Sequence, residues 1–332
     1  MRSVPLAVAL GDPAGIGPEI VAKAWHARAA DALPPFFAVG DPRGIERVWS
    51  GPVARIDDPV EARGAFDRAL PIISIHDAGP IEPGQPDLAG ARCALDALEL
   101  AAGLTHAGAA AAVVTGPVSK AQLYAIGFAH PGQTEFVAER CGIAPDNTAM
   151  MLAGPSLRVV PVTTHIPLGA VPGRLSIELI VAKGRATARG LQRNFGIVHP
   201  RLVVAGLNPH AGEDGALGRE EQEIIGPAVE ILRADGIDAT GPFAADTLFH
   251  ARRRATYDAA LCMYHDQALV PLKTLHFDEG VNMTLGLPIV RTAPDHGTAF
   301  AIAGRDEAHP GAMIAAIRMA ASAAENRLTH GQ

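Results

Sequence analysis

The chain has 332 residues, enough for two domains of about 150 residues each, with 48 % hydrophobic and 19 % charged residues, an ordinary globular balance. Its 28 basic and 35 acidic side chains leave a net charge of −7, which argues against a nucleic-acid or anionic-membrane binder. Three scattered cysteines (Cys93, Cys141 and Cys262) exclude a disulfide framework and a thiolate zinc site, and point to a reducing cytoplasm.

Along the chain, short apolar runs alternate with longer segments of helical pattern. The first run, residues 4–10, is too short for a secretory signal and leads into Gly11-Asp12-Pro13, so it reads as a buried strand. Gly11-Asp-Pro-Ala-Gly-Ile-Gly-Pro-Glu19 then turns tightly into a helix predicted over 18–30, offering free backbone N–H groups. Strands are predicted at 36–40 and 72–75, a helix at 88–105 and a strand at 111–115. In the following Thr115-Gly-Pro-Val-Ser-Lys120, Ser119 and Lys120 either hold an anion or serve as a helix cap and a solvated lysine. Gly132-Gln-Thr-Glu135 sets Thr134 at another helix start, where a hydroxyl and backbone amides suit phosphate. Further strands are predicted at 157–163, 202–207 and 259–264, and helices at 174–194, 220–234 and 312–326. Most of these strands are continuous apolar runs, as in strands covered on both faces, so the alternation predicts an α/β fold with a mainly parallel sheet. No run approaches the roughly 20 apolar residues of a membrane helix.

Three predicted strands each run into a histidine: His165, His210 and His265. Parallel strands present their C-terminal ends on one edge, where open α/β sheets bind ligands, so the three imidazoles are expected to converge. Imidazole is the commonest ligand of zinc and related ions, and three ligands with one open position make a catalytic arrangement. Zinc, cobalt and magnesium are the candidate ions. Asp266, beside His265, and Asp246, in Ala244-Ala-Asp-Thr-Leu248, either cap helices or join the metal and base chemistry. Lys273, Asn282 and Arg291 follow within a short span. A lysine and an arginine in apolar surroundings of an acidic chain point to an anionic substrate, with internal salt bridges as the alternative.

The motifs at 11–19 and 115–120 and the segment Tyr264-His-Asp-Gln-Ala-Leu-Val-Pro-Leu-Lys-Thr-Leu-His-Phe-Asp-Glu-Gly280 resemble the 4-hydroxythreonine-4-phosphate dehydrogenase family of pyridoxal phosphate biosynthesis. Asn282-Met-Thr-Leu-Gly-Leu-Pro288 and Arg291-Thr-Ala-Pro-Asp-His-Gly-Thr-Ala299 extend the resemblance over essentially the whole chain. It implies two α/β/α domains with mainly parallel sheets, similar to isocitrate and isopropylmalate dehydrogenases, with the active site in the interdomain cleft. A discontinuous cofactor-side domain would take 1–130 and 287–332, and a metal, substrate and dimerisation domain 131–286. The resemblance further implies a homodimer whose divalent metal, on His165, His210 and His265, is shared between subunits. Residues matching Thr134, Lys273, Asn282 and Arg291 bind substrate, and Asp295, His296, Gly297, Thr298 and Ala299 bind NAD or NADP. Where the family pattern reads Gly-His-Thr-Glu, this chain has Gly132-Gln133-Thr134-Glu135; a glutamine still donates to a phosphate oxygen but brings no charge.

The activity so implied is the NAD(P)-dependent, metal-assisted oxidation of 4-phosphohydroxy-L-threonine to 2-amino-3-oxo-4-phosphooxybutanoate. That product, a β-keto acid, decarboxylates to 3-amino-2-oxopropyl phosphate. The base is Asp246, Asp266, or a relay through water or Lys273. Oxidation of erythronate or threonate 4-phosphate, or of a dihydrodiol, fits the same scaffold. Metal-dependent hydrolysis or lysis, or ligand binding without turnover, would use the same histidines.

Overall fold

The computed structural model describes residues 4–75, 79–144 and 147–330. The chain divides into two compact units, Met1–Gly142 with Pro288–Ala324, and Ile143–Leu287 with Glu325–Gln332. In chain order the strands of the described residues are β1 (Leu6–Ala9), β2 (Phe36–Gly40), β3 (Val53–Ile56), β4 (Leu70–Ser74), β5 (Val113–Thr115) and β6 (Ala149–Gly154). They continue with β7 (Leu157–Pro161), β8 (Arg201–Ala205), β9 (Asp238–Phe243), β10 (Ala259–Cys262), β11 (Val281–Leu285) and β12 (Arg291–Pro294). Among the described residues no helix is long and apolar enough to cross a membrane.

In the first unit the strand order is β3-β4-β2-β1-β5-β12, every neighbouring pair parallel. β1, β2 and β5 are buried along their whole length, the condition under which an unbroken apolar run is stable as a strand. Helix Leu88–His106 packs on β1 and β2, and Asp87 starts it by accepting from Gly90 N at 2.7 Å. Just past β1, the carbonyl of Leu10 is enclosed by two glycines. A Cβ on either Gly17 or Gly116 would collide with that oxygen, so only glycine lets helix Gly17–His26 and the loop after β5 close on the strand end.

In the second unit the order is β11-β6-β7-β10-β8-β9. The pairs β11–β6 and β6–β7 are antiparallel; β7–β10, β10–β8 and β8–β9 are parallel. β10 therefore lies between β7 and β8, with Cys262 opposite Pro161 and Leu261 opposite Val204. Leu157, Val159, Val203, Ala260, Cys262 and Leu272 form the core around it. Helix Ile177–Phe195 is capped by Ser176, which accepts from Leu179 N at 3.2 Å, and stops at Gly196 in the left-handed region. The single helix predicted over 220–234 is instead a π-helical turn, Glu221–Ile225, followed by the α-helix Gly226–Ala234. Pro227, which has no N–H to give, stands at the junction.

Candidate functional site

Arg291 opens β12 and is only 4 % exposed. Its position opposite Val113 of β5 brings its guanidinium to the loops that leave that strand. It donates to Thr115 Oγ1 at 2.7 Å, to Gln133 Oε1 at 3.0 Å and to Thr134 Oγ1 at 3.3 Å, all within the first unit. Gln133 Nε2 in turn donates to Gly116 O at 3.1 Å, so this glutamine braces Arg291 against the loop after β5. Burial pulls the Arg291 pKa down to about 10, with the charge of Glu135 acting the other way; the group stays cationic at neutral pH. A buried cation among hydroxyl and amide oxygens, beside the first turn of helix Gln133–Arg140, is suited to an oxyanion. Ser119 is a cap: it accepts from Gln122 N at the start of helix Lys120–Ala125, and Lys120 is exposed.

Residues 295–299 lie against the turn at 11–17. Ile16 N donates to Thr298 O at 3.0 Å, and a Cβ on Gly15 would stand 3.0 Å from the same oxygen. His296 Nε2 and Asp12 Oδ2 are buried and make no hydrogen bond to the described residues. Such polar atoms beside a backbone-lined turn fit the ribose hydroxyls and carboxamide of a nicotinamide dinucleotide. Asp12, which the sequence reading passes over as a turn residue, is 1 % exposed. Burial raises its pKa from 3.8 to about 6, opposed by the hydrogen bond from Ala14 N and reinforced by Asp87.

The folded chain thus holds the Asp12 proton to higher pH than the unfolded chain. Stability falls as pH rises from about 4 to about 6 and is flat above, by of order 3 kcal/mol at about 1.4 kcal/mol per pKa unit. Urea unfolding at pH 4.5 and 7 should show about 2 kcal/mol of this fall in the parent and a flatter profile in Asp12→Asn. An equal fall in both would remove Asp12 as its source.

In the second unit, β7, β8 and β10 each lead into one of the three histidines. The His165 and His265 rings lie 5.5 Å apart between centroids, tilted by 44°. His165 and His210 both have φ of 52°, in the left-handed region that non-glycine residues seldom occupy and that clusters at functional sites. His265 opens helix His265–His276, and its Nδ1 stands 2.7 Å from Asp266 Oδ1. That contact fixes the ring and leaves Nε2 to face a ligand, the arrangement in which a carboxylate orients a metal-binding imidazole. Imidazole nitrogens so presented fit a divalent ion. Among the described residues no group of three or more His, Cys, Asp or Glu side chains gathers closely enough to hold a metal; what one chain brings together is the His165–His265 pair.

Neither aspartate serves as the N-cap that the sequence left open. Asp246 is exposed inside the turn Ala245–Thr247, whose N-cap is Ala244, and Asp266 lies in the first turn of a helix whose N-cap is Tyr264. Lys273 is half-buried on the helix that carries His265. Asn282 stands on β11 opposite Leu152, and its Oδ1 is buried without a hydrogen bond among the described residues. Glu221 and Gln267 are two further buried polar residues of this unit; in the sequence only the place of Gln267, directly after His265-Asp266, marks it out.

The pyridoxal phosphate biosynthetic protein PdxA family matches residues 33–320. The chain belongs to that family. It is 59 % identical over 328 residues to the 4-hydroxythreonine-4-phosphate dehydrogenase of Zymomonas mobilis, covering 99 % of this chain and 98 % of the relative. It is 58 % identical to the enzyme of the same name from Erythrobacter litoralis, over 97 % of each chain. The crystal structure of 4-hydroxythreonine-4-phosphate dehydrogenase from Klebsiella pneumoniae superposes with a TM-score of 0.87 at 37 % identity, covering 97 % of this chain and all of the other. The α/β, mostly parallel architecture expected from the sequence is therefore the architecture of the family.

Proposed function

We propose that the chain oxidises 4-phosphohydroxy-L-threonine to 2-amino-3-oxo-4-phosphooxybutanoate with NAD or NADP, and that this product decarboxylates to 3-amino-2-oxopropyl phosphate. The observation that carries the reading is the buried Arg291 with Thr115, Gln133 and Thr134. It is an oxyanion seat in a chain whose full-length relatives are named for a phosphorylated hydroxy-amino acid. Arg291 and Thr134 hold the phosphate; Gln133 keeps the guanidinium in place. Lys273 and Asn282 bind and orient the remainder of the substrate, the lysine supplying positive charge for its carboxylate. Residues 295–299 hold the nicotinamide cofactor, which when bound accepts the hydride.

His165, His210 and His265 hold a divalent ion (zinc, cobalt or magnesium) whose Lewis acidity, when bound, lowers the pKa of the substrate hydroxyl. Because Asp266 is engaged in orienting His265, Asp246 is left to take the hydroxyl proton, directly or through a relay of water. Following the resemblance, the working form is a homodimer that shares the ion between subunits, and the chain's three free cysteines suit a reducing cytoplasm.

The test is reduction of NAD or NADP by the full chain with 4-phosphohydroxy-L-threonine, erythronate 4-phosphate or threonate 4-phosphate, before and after chelation. The first compound should be turned over, with activity lost on chelation and restored by a divalent ion. Rapid turnover of another acid with none of the first would overturn the substrate, and phosphate release without nicotinamide reduction would overturn the reaction class.

A further inference from the structure

Beyond their last paired residues, the three histidine-bearing strands stay tied to one another through Met263 and a buried glutamine. On the β7 side of β10 the ties come from the main chain and a hydroxyl. Val162 N donates to Cys262 O at 2.7 Å, and Thr163 Oγ1 donates to Met263 O at 2.8 Å. On the β8 side the tie is a side chain. Gln267 Oε1 accepts from Met263 N at 2.6 Å, and Gln267 Nε2 donates to Gly206 O at 2.8 Å. Gly206 stands four residues before His210, and Gln267 two residues after His265. The loop from Gly206 is held from its other side by Glu221, whose Oε1 accepts from Leu207 N and Asn208 N at 2.8 Å each.

Both main-chain groups of Met263 are thus committed, one toward the strand of His165 and one toward the loop of His210. Gln267 is 9 % exposed, so its amide serves buried backbone groups that have no water to fall back on. The job needs one donor and one acceptor at the end of a two-carbon stem. A glutamate would set a second acceptor oxygen against Gly206 O, and a leucine would fill the space and satisfy neither group.

We propose that Gln267 is the positioning residue of the three-histidine site: it seats both the helix start that carries His265 and the loop that carries His210 against the end of β10, and so sets affinity for the ion that the subunits share. The inference rests on the reading that these histidines bind a divalent ion. Replacing a group that orients metal ligands weakens metal binding by about 10–100-fold.

The experiment titrates the metal-free full chain with Co²⁺, read by visible absorption and by calorimetry, for the parent, Gln267→Leu, Gln267→Glu and His265→Ala. The expected result is a Co²⁺ affinity lowered about 10–100-fold in both Gln267 variants, with an altered cobalt spectrum and parental circular dichroism. If Gln267→Leu does not fold, Gln267→Glu, which keeps the acceptor for Met263 N, decides the matter. Parental affinity and spectrum in a folded variant, even with a lowered unfolding midpoint, would overturn the positioning role while leaving the metal site standing. A parent that binds no Co²⁺, or a His265→Ala that binds it as tightly as the parent, would instead overturn the metal reading and this inference with it.

Discussion

Arg291→Met lowers kcat/KM for 4-phosphohydroxy-L-threonine by about 30- to 4,000-fold, because losing one partner of a buried charge pair costs ~2–5 kcal/mol and about 1.4 kcal/mol is tenfold. The fold should survive the change. Burying a guanidinium is itself costly, methionine fills much of the same stem volume, and the groups that lose a donor include two neutral hydroxyls and a neutral amide oxygen. Urea unfolding should therefore show a small shift against a large kinetic loss. Arg291→Lys should recover little, since an ammonium cannot reach Thr115, Gln133 and Thr134 at once and still face a phosphate. An unchanged kcat/KM in Arg291→Met would place the phosphate elsewhere.

The second large effect is expected from the histidines, and their backbone dictates which variant to make. His165 and His210 hold φ of 52°. Asparagine visits that region readily and alanine does not, so His165→Asn and His210→Asn remove the imidazole while sparing the turn. Each should abolish stoichiometric divalent metal in the purified protein, measured by elemental analysis. Each should also cut kcat by about 10³-fold or more, the several kcal/mol that a Lewis acid supplies at about 1.4 kcal/mol per tenfold. Parental metal content together with parental kcat in either variant would sink the assignment.

The strands that carry the histidines were legible because each is mostly apolar and buried, interrupted only by Arg158 in β7 and opened by Arg201 in β8, and burial on both faces is what such a run needs. Other strands left no such mark. β6 is Ala-Met-Met-Leu-Ala-Gly, with none of the β-branched residues that favour a pleated surface. β9 contains Gly241-Pro242, which reads as a turn and is tolerated because β9 lies at the end of the strand order. β12 is four residues long and begins with Arg291, so what looked like a ligand-binding loop is also a strand. That is why the arginine is buried. At the site, the individual charged and imidazole residues could be picked out, but their braces could not. Gln267 meets Gly206 across 61 residues and Gln133 meets Arg291 across 158, and nothing local distinguishes such amides from solvated ones. The raised pKa of Asp12 was hidden for the same reason, since a turn aspartate becomes a desolvated one only when the chain closes over it.

The carbonyl of Leu10, boxed in by Gly17 and Gly116, bears on how such a protein changes its substrate over evolutionary time. Any side chain at either glycine would push apart the strand end on which the turn at 11–17 and the loop after β5 are built. Those backbone paths are closed to gradual variation. New specificity has to come from side chains seated on an unchanging frame, and Gln133, which touches both Arg291 and the Gly116 carbonyl, is a position where one substitution reaches the anion seat without disturbing the frame.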